Sequence, residues 1–164
     1  MKFDLQIKGD LENVQEFVPS PLETFEWHMK FKCAGCGEEK DTYRVISLND
    51  TSGTKLGRGE AHLVETCQFC RHANNASIVG FEKAVGIPYT ESDDGTFKTV
   101  CTFDCRGLEP TGFRFGGGYR IASSKSKTVF NDVTFEDNEW TDYDEEGKES
   151  ISVLNLEYRF VRRK

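Results

Sequence analysis

Hydrophobic and polar residues alternate along several stretches of the chain, which is the pattern of β-strands. Phe3, Leu5 and Ile7 occupy every second position near the start, between charged or polar neighbours. The same period of two recurs over residues 25–33, with His28 on the polar side. Alternation of this kind places successive side chains on opposite faces of a strand, so each stretch is expected to bury one face.

Further stretches with strand character follow, separated by turn residues such as the cluster at residues 49–53. They are residues 42–48, 61–66, 76–81, 97–105, 128–135 and 151–161. We expect one strand face to carry Phe97, Thr99, Cys101, Phe103 and Cys105, and another to carry Leu154, Leu156, Tyr158 and Phe160. With 13 phenylalanines in 164 residues and few helical periodicities, the sequence predicts an all-β fold.

We expect a single domain, 1–164, built of two similar antiparallel, sandwich-like β halves. The boundary falls at a polar linker over residues 86–95, which divides the chain into residues 1–88 and 89–164. The glycine run at residues 116–118 and the segment at residues 123–127 predict a flexible loop. It lacks the Gly-Lys-Ser/Thr order of a phosphate-binding loop, so phosphate binding is not expected.

Two Cys-x-x-Cys pairs lie in the first half, and each follows a predicted strand. Cys33 and Cys36 form the first pair, and Cys67 and Cys70 form the second. Two residues between cysteines allow both sulfurs to reach one cation at about 2.3 Å, and two such knuckles complete a tetrahedral Zn²⁺ site. Gly37, directly after the first pair, can take a positive φ and turn the backbone around the metal.

The cysteines and the neighbouring histidine allow other interpretations. The four thiols could act as a redox dithiol, and His72, beside the second knuckle, could replace one cysteine as ligand. Cys101 and Cys105 lie about 13 Å apart in an extended strand, too far to share a metal without a bulge. We therefore expect free thiols at these two positions.

Composition and charge narrow the function classes. The net charge of −7 argues against a nucleic-acid partner, since phosphate binding needs a concentrated basic face. The chain begins without a signal-peptide core, and it has no apolar run long enough to cross a membrane. Six cysteines in such a chain fit metal ligands and free thiols, so we expect a reducing compartment, the cytoplasm with the nucleus as a further possibility. We also expect a monomer.

A strongly acidic segment surrounds two large aromatic residues near the end of the chain. Trp140 and Tyr143 lie among the acidic residues of positions 136–146, and leaving both rings exposed is unfavourable. Either the rings hold an acidic loop, with residues 140–144 at its centre, against the core, or they form a contact surface for a basic partner.

Together these motifs resemble the family of eukaryotic CXXC-motif-containing zinc-binding proteins. The resemblance rests on the two Cys-x-x-Cys pairs and on the segments at residues 57–59, 105–110 and 140–144. It implies an all-β protein of two similar halves, with one Zn²⁺ held by Cys33, Cys36, Cys67 and Cys70. It implies no established enzymatic activity, so no catalytic residue is assigned.

Three classes of function follow. The first is a zinc-stabilised scaffold that binds another protein, because a closed four-thiolate site leaves no position for water or substrate. The second is a thiol redox protein, which the rest of the sequence does not support, since it has no His-Glu-x-x-His helix and no nucleophile elbow. The third is a metal-handling protein that passes Zn²⁺ or Cu(I) to a partner, since thiolates suit both ions.

Overall fold

The alternating segments form strands in a computed structural model, which describes residues 1–53, 60–81 and 86–164. Within these residues the structure contains fifteen strands and one 3₁₀-helix, Glu91–Asp93. The strands up to the second knuckle are β1 Lys2–Glu12, β2 Val14–Pro19, β3 Trp27–Cys33, β4 Arg44–Ile46, β5 Ser52–Gly53, β6 Glu60–Ala61 and β7 Leu63–Thr66. The later strands are β8 Ala73–Val79, β9 Tyr89–Thr90, β10 Lys98–Arg106, β11 Leu108–Arg114, β12 Gly116–Ser123, β13 Val129–Phe135, β14 Trp140–Asp144 and β15 Glu149–Arg163.

The strands pair antiparallel in four sheets, which confirms the predicted all-β class. The largest sheet has the order β14-β15-β1-β10-β8-β7, and a four-stranded sheet has the order β13-β12-β2-β9. A three-stranded sheet, β11-β3-β4, carries the first knuckle, and β5 pairs with β6. Among the described residues there is no helix long and apolar enough to span a bilayer.

One hydrophobic core joins strands from both predicted segments of the chain. Edge-to-face contacts link Phe17 on β2 with Tyr119 on β12 and with Phe135 on β13, at ring-centroid distances of 6.0 and 5.3 Å. Trp27 on β3 contacts Phe103 on β10 in the same way, at 6.2 Å. Aromatic pairs of this geometry add stability beyond the area that they bury. The division at residues 88 and 89 stays a prediction about the chain, whose two parts pack together here.

The prediction of a polar linker over residues 86–95 is wrong at its centre. Tyr89 lies in strand β9, which pairs with β2, and its side chain is fully buried. Its hydroxyl lies 2.7 and 2.8 Å from the carbonyl oxygens of Asp93 and Thr96, either of which can accept its one proton. The hydroxyl can enter the core because it finds these acceptors, which composition alone did not indicate.

Two β-bulges change the strand faces that strict alternation predicts. The register of β1 with β10 shifts between Leu5 and Gln6, so Thr99 leaves the buried face and accepts a hydrogen bond from Gln6 at 3.1 Å. A second shift opposite β15 lies near Asn155, whose φ is 55°, and it separates Leu154 from Leu156. A bulge inserts one residue on one strand and so exchanges the two faces beyond it.

Two segments predicted as loops are strands. The glycines at residues 116–118 begin β12, where a side chain on Gly117 would lie 2.7 Å from Thr134 Oγ1. The acidic segment contains the edge strand β14, whose Trp140 is half-buried and contacts Phe130 at 5.0 Å. Trp140 therefore packs against the core, whereas Tyr143 is 50% exposed.

A buried carboxylate joins β14 to the turn after β12. Asp144 is fully buried, and its Oδ2 accepts hydrogen bonds from the hydroxyls of Ser123 and Ser126 at 2.5 and 2.7 Å. Its Oδ1 accepts from the Thr128 hydroxyl at 2.8 Å and from the Gly147 N–H at 3.0 Å. Four donors replace the lost hydration of the charge, and so the serine-rich segment predicted to be flexible is tied to β14.

These donors make the contribution of Asp144 to stability dependent on pH. Hydrogen bonds from Ser123, Gly147 and Ser126 hold the pKa of the Asp144 carboxyl well below its usual range. A carboxyl with a depressed folded-state pKa stabilises the fold fully above its unfolded-state pKa of about 4. That contribution is lost as the pH falls from there toward the folded-state pKa.

We therefore expect Asp144→Asn to lower the free energy of unfolding at neutral pH, because the amide cannot satisfy all four donors as a carboxylate does. The difference from the parent protein should narrow as the pH falls below about 4. Urea unfolding across this range measures both effects. Asp142→Asn is the matched control, since Asp142 is exposed on the same strand, and a gap for Asp144→Asn that stays constant with pH would contradict the prediction.

Candidate metal centre

The four predicted cysteines meet at one end of the molecule because two strands deliver them there. Strand β3 ends at Cys33, and β7 ends one residue before Cys67. The four Sγ atoms all lie within 4.8 Å of one another. Across the two knuckles, Sγ of Cys33 lies 3.7 Å from that of Cys70, and Sγ of Cys36 lies 3.6 Å from that of Cys67. Tetrahedral Zn–S bonds of about 2.3 Å place sulfurs about 3.8 Å apart, so the cluster fits Zn²⁺.

Both knuckles use the same backbone turn. In the first, the N–H of Gly37 donates to the carbonyl of Cys33 at 2.7 Å, and in the second, the N–H of Arg71 donates to that of Cys67 at 2.8 Å. The residue after each pair has a positive φ, 79° for Gly37 and 66° for Arg71. The expected role of Gly37 is confirmed. Arg71 takes the same left-handed conformation at a cost of roughly 1 kcal/mol, which explains why the second knuckle can dispense with glycine.

Each knuckle has one enclosed and one exposed sulfur. Cys33 and Cys67 are buried, whereas Cys36 and Cys70 are exposed. Burial raises the pKa of the Cys33 thiol, but hydrogen bonds from the Asn74 amide and from the backbone of Cys36 and Gly35 outweigh it and lower the pKa to about 6. Hydrogen bonds from the backbone of Cys70 and Phe69 lower the pKa of Cys67.

The pKa values of the two exposed thiols, Cys36 and Cys70, are raised rather than lowered. The N–H of Glu38 lowers the pKa of Cys36, but desolvation and the neighbouring thiols outweigh it and raise the pKa to about 12. Cys70 also has a raised pKa, although the N–H of His72 acts against the shift. Without a cation, four thiolates so close together would repel one another, and the cluster holds one easily ionised thiol in each knuckle. A divalent cation supplies the charge that lets all four deprotonate.

Asn74 contacts the sulfur of the first knuckle from strand β8. It is 2% exposed on β8, and its amide nitrogen donates to Cys33 Sγ at 3.5 Å. The reverse placement of this amide would direct its nitrogen to the carbonyls of Ala73 and Gly107, at 3.2 and 3.3 Å. A metal-bound thiolate is an acceptor and favours the placement that faces sulfur, whereas the two carbonyls favour the reverse placement. Sequence reasoning missed Asn74, because only the pairing of β8 with β7 and β10 brings it to Cys33.

The segment at residues 105–110 packs against the first knuckle. Gly107 has a φ of 79°, and a Cβ there would lie 2.1 Å from Asn74 Oδ1. Its carbonyl accepts the N–H of Ala34 at 2.9 Å. Leu108 pairs with Cys33 across β11 and β3, and Glu109 forms an ion pair with Lys32 at 3.3 Å. The motif residues of this segment therefore support the first knuckle rather than form a separate site.

The remaining candidate residues lie outside the cluster. His72 is exposed and does not belong to the group of metal-ligating atoms found among the described residues. His28 lies on the polar side of β3, where its Nδ1 contacts the Glu26 carbonyl at 3.1 Å. Cys101 and Cys105 are buried free thiols, as predicted, and burial raises both pKa values, that of Cys105 to about 12. The motif at residues 57–59 lies outside the described residues.

Comparison with known proteins agrees with this geometry. A sequence profile of the family described as CXXC motif containing zinc binding protein, eukaryotic, matches residues 4–161. A curated relative of that name from Xenopus laevis is 39% identical over 162 residues, which cover 99% of each chain. The relative from Homo sapiens is 37% identical over 161 residues and covers 98% of each chain.

Solved structures show the same fold. The crystal structure of C1orf123 matches with a TM-score of 0.91 and 37% identity, covering 99% of this chain and all of that one. A hypothetical protein from Plasmodium falciparum matches with a TM-score of 0.86 over 98% of this chain and 99% of its own, and at 21% identity that likeness concerns the fold alone.

The fold and the cysteine cluster define the class, an all-β zinc-binding protein with two Cys-x-x-Cys knuckles. The chain belongs to the eukaryotic family of CXXC-motif-containing zinc-binding proteins. Its four clustered cysteines are consistent with Zn²⁺ as the bound metal.

We expect Asn74→Ala to weaken zinc binding by about 10- to 100-fold, the usual effect of removing a hydrogen bond to a metal ligand. Competition with a chromophoric chelator measures the change in affinity. Asn75→Ala is the matched control. Asn75 is the next residue of β8 and lies opposite Arg106 of β10, and successive side chains of a strand point to opposite faces. Equal affinity for both variants would show that the Asn74 amide does not support the thiolate.

Proposed function

We propose that Cys33, Cys36, Cys67 and Cys70 hold one structural Zn²⁺ and that the protein is a scaffold for binding another protein. The observation that carries this proposal is the closure of the cluster, since four sulfurs within 4.8 Å of one another fill a tetrahedral shell. No coordination position is then left for water or substrate. The metal would therefore contribute to folding rather than to chemistry.

We propose that the protein is not an enzyme. The metal-binding sulfurs would be saturated, and the two remaining thiols, Cys101 and Cys105, are buried with raised pKa values. Such thiols are weak nucleophiles at neutral pH because little thiolate is present. We further propose a monomer that acts in the reducing cytoplasm or nucleus and binds neither nucleic acid nor membrane, in keeping with its net charge of −7.

Replacing one ligand in each knuckle tests the structural role of the metal. Cys33→Ser and Cys67→Ser should each remove the zinc and lower the free energy of unfolding by more than about 4 kcal/mol. At roughly 2–4 °C per kcal/mol for a chain of this size, the melting temperature should fall by about 10 °C or more. Metal analysis under reducing conditions and thermal melts before and after chelation measure both quantities.

Cys101→Ser is the control, because it alters a buried thiol away from the cluster and should keep one zinc per chain. Loss of zinc from Cys33→Ser without a change in melting would contradict the structural role. The four thiols would then themselves be the functional groups.

A metal-handling role is the second candidate, and one observation favours it. Cys36 and Cys70, one from each knuckle, are exposed, so a competing thiol could approach the metal from the solvent side. Thiolate ligands suit both Zn²⁺ and Cu(I).

The rate of metal exchange separates the two candidates. For a scaffold we expect zinc to leave at the unfolding rate, whatever the chelator concentration, because the shell opens only when the knuckles separate. Stopped-flow release into increasing chelator measures this rate. A rate that rises with chelator concentration and exceeds the unfolding rate would instead indicate transfer.

A further inference from the structure

The segment of residues 136–149, which contains β14, is rich in exposed negative charge. Over residues 136–149 the structure has seven exposed carboxylates, and the only cation in this segment is Lys148. Within the described part of the chain none of the seven forms an ion pair closer than 4.0 Å. They are Glu136, Asp137, Glu139, Asp142, Glu145, Glu146 and Glu149.

Strand β14 is also an open edge. Among the described strands it is the outermost of the six-stranded sheet, and its one pairing there is with β15. Thr141, Asp142 and Tyr143 are all exposed. The N–H of Tyr143 donates to Oδ1 of Asp142 at 2.7 Å, so it points away from β15. Alternation along an antiparallel ladder turns the backbone groups of Thr141 to the same free side.

An unpaired edge accepts an added strand, and the charge of this edge determines which strand can dock. A second copy of this chain would place acidic residues opposite acidic residues, which is unfavourable. An extended segment rich in lysine or arginine would place opposite charges across the new pair. The exposed ring of Tyr143 offers a further contact to a cation, of the kind that Arg114 makes with Tyr43 at 4.8 Å.

We propose that β14 docks an extended basic segment of a partner protein as an additional antiparallel or parallel strand. A carbonyl of the partner strand replaces Asp142 as the acceptor of the Tyr143 N–H. The Asp142 carboxylate is then free to form an ion pair with a cation of the partner. This proposal rests on the scaffold function and specifies its binding surface. The buried carboxylate of Asp144 and the packed ring of Trp140 hold the strand in place before the partner arrives.

The first test uses the zinc-loaded full chain and a short labelled peptide of alternating lysine and valine. We expect binding that weakens with salt, together with slowed hydrogen exchange at the Thr141 and Tyr143 amides in NMR spectra. A peptide of alternating glutamate and valine should not bind. Absence of binding by the lysine peptide overturns the proposal.

Charge variants separate this edge from general attraction between a polycation and an acidic protein. Charge reversal at the edge combines Asp142→Lys, Glu145→Lys and Glu146→Lys. We expect it to weaken peptide binding about tenfold or more, since each exposed ion pair contributes up to about 1 kcal/mol to the binding free energy. The control has the same net charge but reverses exposed acids elsewhere, with Glu23→Lys, Asp50→Lys and Glu91→Lys. Equal weakening by both sets overturns the proposal.

Thr141→Pro tests the strand pairing itself, because proline removes an outward N–H and leaves every charge in place. We expect loss of amide protection and weaker peptide binding. If this variant does not fold by its thermal melt, the charge variants decide the question. Failure of the scaffold function has a different signature: a zinc-free protein that melts as before contradicts the structural metal, whether or not the peptide binds.

Discussion

Four sulfurs held within 4.8 Å of one another can all be thiolates only around a cation, and this electrostatic requirement connects two distant parts of the chain. The first knuckle follows β3 and the second follows β7, in different sheets. A metal between them makes the end of the three-stranded sheet continuous with the end of the six-stranded sheet. The hydrogen bonds from backbone N–H groups to sulfur distribute the negative charge that remains after metal binding.

Other buried polar groups of the protein also require partners that compensate for lost hydration. Asp144 enters the interior because four donors surround it. The Tyr89 hydroxyl does so because carbonyl oxygens lie within hydrogen-bond distance of its one proton. Asn74 is buried between Cys33 and Gly107, the glycine that makes room for it. Each group would be unfavourable alone, and each holds a turn or an edge that the hydrophobic core does not reach.

The protein thus has two distinct ends in functional terms. The zinc end carries the four clustered cysteines and a supporting segment at residues 105–110. The edge at β14 carries exposed carboxylates and open backbone groups, and it is the surface that we propose for binding a basic strand. The scaffold that we propose, with a structural metal at one end and a binding edge at the other, gives each end a role.

The sequence alone determined the all-β class, the alternating strands such as β1 and β3, and the four cysteines that come together. These follow from local rules, since a period of two and a spacing of two residues act over neighbouring positions. Tertiary structure decided the bulges near Gln6 and Asn155, the burial of Tyr89 and Asp144, and the contact of Asn74 with Cys33. Each of these depends on which strand lies beside which, and that choice is made by contacts between residues far apart in the chain.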